Sequence, residues 1–181
     1  VLVIGFGRIG TRVARLCAAF GMRVLVRDPN IAKGSIRGLG FEPADDAAEA
    51  AGAADIVTLH LPSNAQTRGT IDAAFLARMK PGAILVNTAR GTIVDQAALD
   101  RALRAGHLAG AGLDVFEEEP VEADIPLLTA PNLILTPHVA ASTSEGLRRM
   151  AMHSAEAVLA CFANRLDPDV VVNPEVLTRR N

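Results

Sequence analysis

Short apolar runs alternate with segments of helical periodicity along most of the chain. Residues 1–4 are uninterrupted apolar sequence, the pattern of a strand buried on both faces of a parallel sheet. Ile9, Val13, Leu16 and Phe20 then recur at helical spacing on one face, with Gly21 as the C-terminal stop. Residues 24–26 read as a second strand closed by Asp28-Pro29. Beyond it, Gly34, Gly38 and Gly40 interrupt any helix until 45–51, which carries acids in its first turn. Strand 56–59, helix 73–79, strand 83–86, helix 95–105 and strands 108–113 and 133–135 follow, and a long helix covers 143–163. This alternation predicts an α/β fold, a Rossmann-type doubly wound parallel sheet with helices on both faces. The tail after Asp167 carries Pro168 and Pro174 and ends in a polar stretch.

The 181 residues are 50% hydrophobic and 21% charged, enough for one globular core with an appended piece. The net charge is −2 and no basic tract is present, which gives nucleic-acid binding no electrostatic support. No apolar stretch approaches the roughly 18 residues of a membrane helix. Cys17 and Cys161 lie far apart, with no metal-ligand spacing, and read as reduced thiols of a cytoplasmic protein. Trp and Tyr are absent, and the chain opens at Val1 inside a strand. Both features predict the C-terminal part of a longer protein.

Gly5-Phe6-Gly7-Arg8-Ile9-Gly10 is a G-x-G-x-x-G that follows a strand and opens a helix, the context that gives the motif meaning. Gly5 permits the tight turn, Gly7 lets backbone approach a pyrophosphate, and Gly10 lets the helix pack closely on the sheet. The helix N-terminus offers free N–H groups and partial positive charge to phosphates. Asp28 ends the second strand, where a carboxylate accepts hydrogen bonds from both ribose hydroxyls and repels a 2′-phosphate. That favours NAD, although Arg27 beside it would suit a 2′-phosphate. The bland reading is a glycine turn and a turn-forming Asp before Pro29.

Ligands of open α/β sheets bind at the carboxyl ends of the strands. The predicted strand ends carry the glycine loop, Asp28, His60-Leu61-Pro62, Thr88-Ala89-Arg90, Asp114 and His138. A hydride-accepting carbonyl needs a proton, and histidine is the natural donor near neutral pH. Arginine holds a carboxylate bidentately, and an acid beside a histidine raises its pKa and fixes its orientation. His138, Arg90 and one acid of Glu117-Glu118-Glu119 supply that set.

VLVIGFGRIG, VTLHLPSNAQTRGTI, MKPGAILVNTARGTIVD, GAGLDVFEEEP and NLILTPHVAAST, in this order, resemble the D-isomer-specific 2-hydroxyacid dehydrogenases over nearly the whole chain. The resemblance implies a substrate-binding Arg90, a Glu119 paired with the catalytic histidine, and His138 as proton donor and acceptor. It implies NAD contacts from Gly5, Gly7, Arg8, Ile9, Gly10, Asp28, Pro29, Thr88, Ala89, Arg90, Asp114, His138 and Ala140. Thr67 and His60, Leu61 and Pro62 line the same groove in the family. No metal is implied. The chain departs from the family at Ala140 and Ala141, where many members have glycines, and ordinary φ is expected there. The resemblance divides the chain into an NAD-binding domain, 1–141, and a segment, 142–181, crossing back to an incomplete substrate domain. The fragment alone is expected to bind NAD and to turn over poorly.

The implied activity is NAD-dependent hydride transfer between a D-2-hydroxy acid and its 2-oxo acid, in a cytoplasmic homodimer joined through nucleotide domains. Two alternatives stand beside it: an NADH-sensing protein similar to the C-terminal-binding-protein corepressors, which retain the same three residues, and an NADP-dependent glyoxylate or hydroxypyruvate reductase, which differs mainly at the second strand, where Asp28 argues against it. Other polar residues read more simply. His107 reads as a solvated turn residue, His153 as an interface or surface residue of the long helix, Arg148-Arg149 as helix surface, and Glu117 and Glu118 as a solvated acidic loop. Thr11 and Ser63 have no nucleophile context.

Overall fold

The computed structural model describes residues 1–179, so the last two residues of the polar tail lie outside the described residues. The chain forms two compact units, Val1–His138 and Val139–Asn181. The first is built on β1 (Leu2–Ile4), β2 (Leu25–Arg27), β3 (Glu42–Pro43), β4 (Ile56–Leu59), β5 (Ile84–Asn87), β6 (Gly110–Leu113) and β7 (Leu133–Leu135). All pair in parallel, in the order β3-β2-β1-β4-β5-β6-β7. The order reverses between β1 and β4, the switch point at which open sheets of this type bind ligands.

Helices α1 (Arg8–Ala19), α2 (Lys33–Gly38), α3 (Ala47–Ala51), α4 (Ala73–Arg78) and α5 (Gln96–Arg104) connect the strands. Strand β1 shows why both faces are covered. Leu2 and Ile4 enter one core with Leu59, Leu76, Leu85 and Leu99, while Val3 enters another with Ala14, Val26, Ile36 and Phe41. Successive strand residues point to opposite faces, so an apolar run is buried only when helices lie on both.

Asp46, Asp72 and Asp95 cap α3, α4 and α5 by accepting the N–H of Glu49, Phe75 and Ala98. Two expectations need correction. The glycines at 34 and 38 do not prevent a helix: α2 runs through both and stops near Gly40, at φ +85°. Burial of Ile36 offsets a propensity cost of about 1 kcal/mol per glycine. The stripe Ile9, Leu16 and Phe20 does not meet the sheet: α1 buries Gly10 and Ala14 instead, and the three apolar side chains are 61–81% exposed.

The second unit contains α6 (Ser144–Phe162), capped by Thr143, whose Oγ1 accepts the Gly146 N–H. None of its residues is buried. Short 3₁₀ turns follow at Pro168–Val170 and Pro174–Arg179. No helix among the described residues is long and apolar enough to cross a membrane.

Candidate active site at the carboxyl edge of the sheet

Each strand end at the switch point delivers one part of a site. After β1 the chain turns at Gly5, whose φ of +92° suits only glycine and whose missing Cβ would lie 2.4 Å from the His60 carbonyl oxygen. A Cβ on Gly10 would lie 1.9 Å from the Gly5 carbonyl oxygen, so helix and turn are in direct backbone contact. Gly7 differs: a Cβ there would meet nothing within 4 Å. It is also the N-cap of α1 and provides no side-chain bond to the helix. No side chain caps the first turn of α1 and the space over Gly7 is open, which fits a pyrophosphate held by backbone and helix dipole.

Asp28, just after β2, faces this loop. Its Oδ2 accepts the Phe6 N–H at 2.7 Å and its Oδ1 the Asn30 N–H at 2.8 Å. Each oxygen keeps a further lone pair for a ribose hydroxyl. After β4, His60 is half-buried and its Nε2 lies 3.0 Å from Thr58 Oγ1. Burial pushes its imidazole below the usual histidine range. Leu61 and Pro62 follow, and Thr67 Oγ1 donates to the Pro62 carbonyl at 2.6 Å, closing the loop.

After β5 come Thr88 and Ala89, then Arg90, whose Nη1 donates to the Ala89 carbonyl at 2.6 Å. Gly91 packs on the Phe116 backbone so closely that a Cβ would lie 1.8 Å from its carbonyl carbon. The Phe116 N–H donates to Glu119 Oε1 at 3.0 Å, and His138 Nδ1 donates to Glu119 Oε2 at 2.7 Å. The Arg90 loop is thus joined to His138 through three successive contacts. His138, after β7, has φ +55°, a left-handed conformation in which histidine is enriched among L-residues. Its N–H donates to the Asp114 carbonyl at 2.8 Å, and Asp114, 3% exposed, also accepts Thr136 Oγ1. The hydrogen bonds from His138 and Phe116 hold the Glu119 carboxyl below the usual carboxylate range. A carboxylate can only accept here, so Nδ1 carries the proton and Nε2 remains for proton exchange.

Comparison with known proteins decides what this arrangement is. Residues 1–140 match the family described as D-isomer specific 2-hydroxyacid dehydrogenase, NAD binding domain. The chain belongs to that family. It is 44% identical over 180 residues to the glyoxylate reductase of Korarchaeum cryptofilum, covering 98% of this chain and 53% of the relative. It is 43% identical over 182 residues to the D-3-phosphoglycerate dehydrogenase of Mycobacterium leprae, covering 96% of this chain and 34% of the relative. The crystal structure of D-lactate dehydrogenase from Aquifex aeolicus, complexed with NAD and lactic acid, superposes with a TM-score of 0.80 at 35% identity. That match covers 91% of this chain and 53% of the other. The chain therefore spans about a third to a half of the length of these relatives.

In this member of the family the edge collects Gly5, Gly7, Arg8, Ile9, Gly10, Asp28, Pro29, His60, Leu61, Pro62, Thr88, Ala89, Arg90, Glu119, Asp114 and His138, with Thr67 bracing the loop after Pro62. Ala140 falls in the second unit. Neither it nor Ala141 has positive φ; His138 does. His107 is not a solvated turn residue: it is half-buried and its Nε2 lies 3.0 Å from the Leu76 carbonyl oxygen. Glu117, though exposed, accepts the Gln96 N–H at the start of α5. Sequence reading missed Asn87, Thr92 and Thr136, which build hydrogen bonds inside the site. Asn87 and Thr136 stand at or just beyond strand ends, and Thr92 lies in the short 3₁₀ turn after Arg90; polarity was their only signal.

Proposed function

We propose that the protein carrying this chain is an NAD-dependent dehydrogenase that interconverts a D-2-hydroxy acid and its 2-oxo acid. The observation that carries the reading is the Glu119–His138 pair at 2.7 Å, held on the same sheet edge as the glycine loop and Asp28. The backbone of Gly7 to Gly10 would hold the pyrophosphate, and Asp28 the adenosine ribose. When bound, the nicotinamide supplies or takes up the hydride at the substrate C2. Arg90 binds the substrate carboxylate, for which its planar guanidinium is matched. His138 gives a proton from Nε2 to the carbonyl oxygen during reduction and takes it back during oxidation. Glu119 keeps the imidazole in the tautomer and orientation that this exchange needs, and its negative charge stabilises the imidazolium.

Asp28 supports NAD over NADP, because a carboxylate at the ribose opposes a 2′-phosphate. The free thiols of Cys17 and Cys161 support a cytoplasmic location. A homodimer joined through the nucleotide-binding unit is supported by the exposed stripe of Ile9, Leu16 and Phe20 on α1. The test is NADH oxidation followed at 340 nm with the full-length protein, using phosphohydroxypyruvate, hydroxypyruvate, glyoxylate, pyruvate and bulkier 2-oxo acids, each repeated with NADPH. Turnover with NADH on one of them is expected. Silence on all of them with NADH bound would replace the enzyme by an NADH sensor, and a preference for NADPH would overturn the role given to Asp28.

A further inference from the structure

Asn87 ends β5 and is 1% exposed, so its side-chain amide must find partners inside the protein. Both are in the loop that carries Arg90. Asn87 Oδ1 accepts the Ala89 N–H at 3.0 Å, and Asn87 Nδ2 donates to the Arg90 carbonyl at 2.9 Å. The Ala89 carbonyl in turn accepts Arg90 Nη1 at 2.6 Å. These bonds link Asn87, Ala89 and Arg90 into a closed ring. One member fixes the amide of Ala89, the next fixes the guanidinium against the Ala89 carbonyl, and the third fixes the Arg90 backbone. With Nη1 engaged, Nε and Nη2 form the edge left for a carboxylate.

We infer that Asn87 is a positioning residue for substrate binding, acting through Arg90. The inference rests on the dehydrogenase reading above. Its physical basis is pre-organisation: a guanidinium already held in the binding orientation gives up less freedom when a carboxylate arrives. Both side-chain hydrogen bonds of Asn87 go to the Arg90 loop, and neither goes to Glu119 or His138, the groups assigned to proton transfer. Its main effect belongs in the capture of the substrate's carboxylate, with a smaller one on NADH through the Ala89 backbone that it also holds.

The test uses the full-length protein with Asn87→Ala and the isosteric Asn87→Asp, each alone and combined with Arg90→Ala. Aspartate keeps an acceptor for Ala89 and loses the donor to Arg90. Three quantities are read: the dissociation constant of NADH, the KM of the best 2-oxo acid of the panel, and the dissociation constant of oxamate, a carboxylate mimic of a 2-oxo acid, from the NADH complex. The single variants are expected to weaken oxamate and raise KM between roughly tenfold and a hundredfold. NADH affinity should change several-fold less than oxamate affinity, the sign that the Rossmann unit is intact. In the Arg90→Ala background the Asn87 substitutions should add little, because the residue they position is gone. Equal weakening with and without Arg90, or loss of NADH affinity in step with oxamate in both single variants, would overturn the inference and leave Asn87 a plain structural residue. A wild-type protein that binds NADH but neither reduces a 2-oxo acid nor binds oxamate would instead remove the dehydrogenase reading, and this inference with it.

Discussion

Glu119 accepts from the Phe116 N–H with one oxygen and from His138 Nδ1 with the other, so its charge is satisfied at both ends. Those bonds lower its pKa. The stabilisation of the pair is therefore present above the ordinary carboxylate range and is lost as pH falls through the lowered value. Across the neutral range Glu119 is ionised and His138 is held by it. Glu119→Gln keeps the shape and removes the charge, and kcat/KM should fall by roughly a hundredfold or more, with NADH affinity unchanged. Steady-state kinetics over pH 5 to 9 on the variant is the check; an unaltered kcat/KM would take Glu119 out of the mechanism. Strand ends drew attention to Arg90 and His138 in the sequence, whereas Glu119 was one of three adjacent acids until the family resemblance singled it out. The sequence did not reveal the left-handed φ of His138 or the two bonds of Asn87. An asparagine after a strand reads as an ordinary turn residue, and its partners are backbone groups that leave no mark in the sequence.

At the scale of elements, the glycine loop separates two demands that one motif hides. Gly5 and Gly10 answer to the protein, since a Cβ at either would strike backbone at 2.4 or 1.9 Å. Gly7 answers to the ligand, since a Cβ there strikes nothing. Gly10→Ala should lower the melting temperature through overpacking, on the order of 1–3 kcal/mol. Gly7→Ala should leave thermal stability within about 0.5 kcal/mol and weaken NADH binding, because only a bound pyrophosphate would meet the new methyl group. Thermal unfolding with NADH titration separates the two, and a Gly7→Ala protein that binds NADH like the wild type would contradict the cradle. Six of the seven strand positions were legible from apolar runs, and β3, whose Glu42-Pro43 carries no such run, was not. Helix α1 was legible as a helix but not in its facing: small residues Gly10 and Ala14 pack on the sheet, while the larger Ile9, Leu16 and Phe20 look outward. Close helix–sheet approach selects small residues, and a hydrophobicity pattern alone points to the wrong face. Helix α2 was missed for the opposite reason, tertiary burial of Ile36 outweighing two glycines.

At the scale of the whole molecule, the strand order and its reversal between β1 and β4 bring residues from the first and last strands of the sheet to one edge. The order of elements in the sequence suggested this topology, but the meeting of Arg90, Phe116, Glu119 and His138 needed the folded sheet. The outward stripe of α1 gives a test of assembly. In the full-length protein the wild type should sediment as the proposed dimer and Leu16→Glu with Phe20→Glu as a monomer; a variant that sediments like the wild type would overturn an interface on this stripe. The proposed chemistry places acid–base catalysis coupled to NADH at this edge. The most direct measurement is kcat/KM for the best 2-oxo acid in full-length wild type and His138→Ala, with the NADH dissociation constant measured on both. A loss of roughly a hundredfold to ten-thousandfold in kcat/KM is expected, with NADH binding preserved. Turnover that survives the loss of His138 would contradict that chemistry.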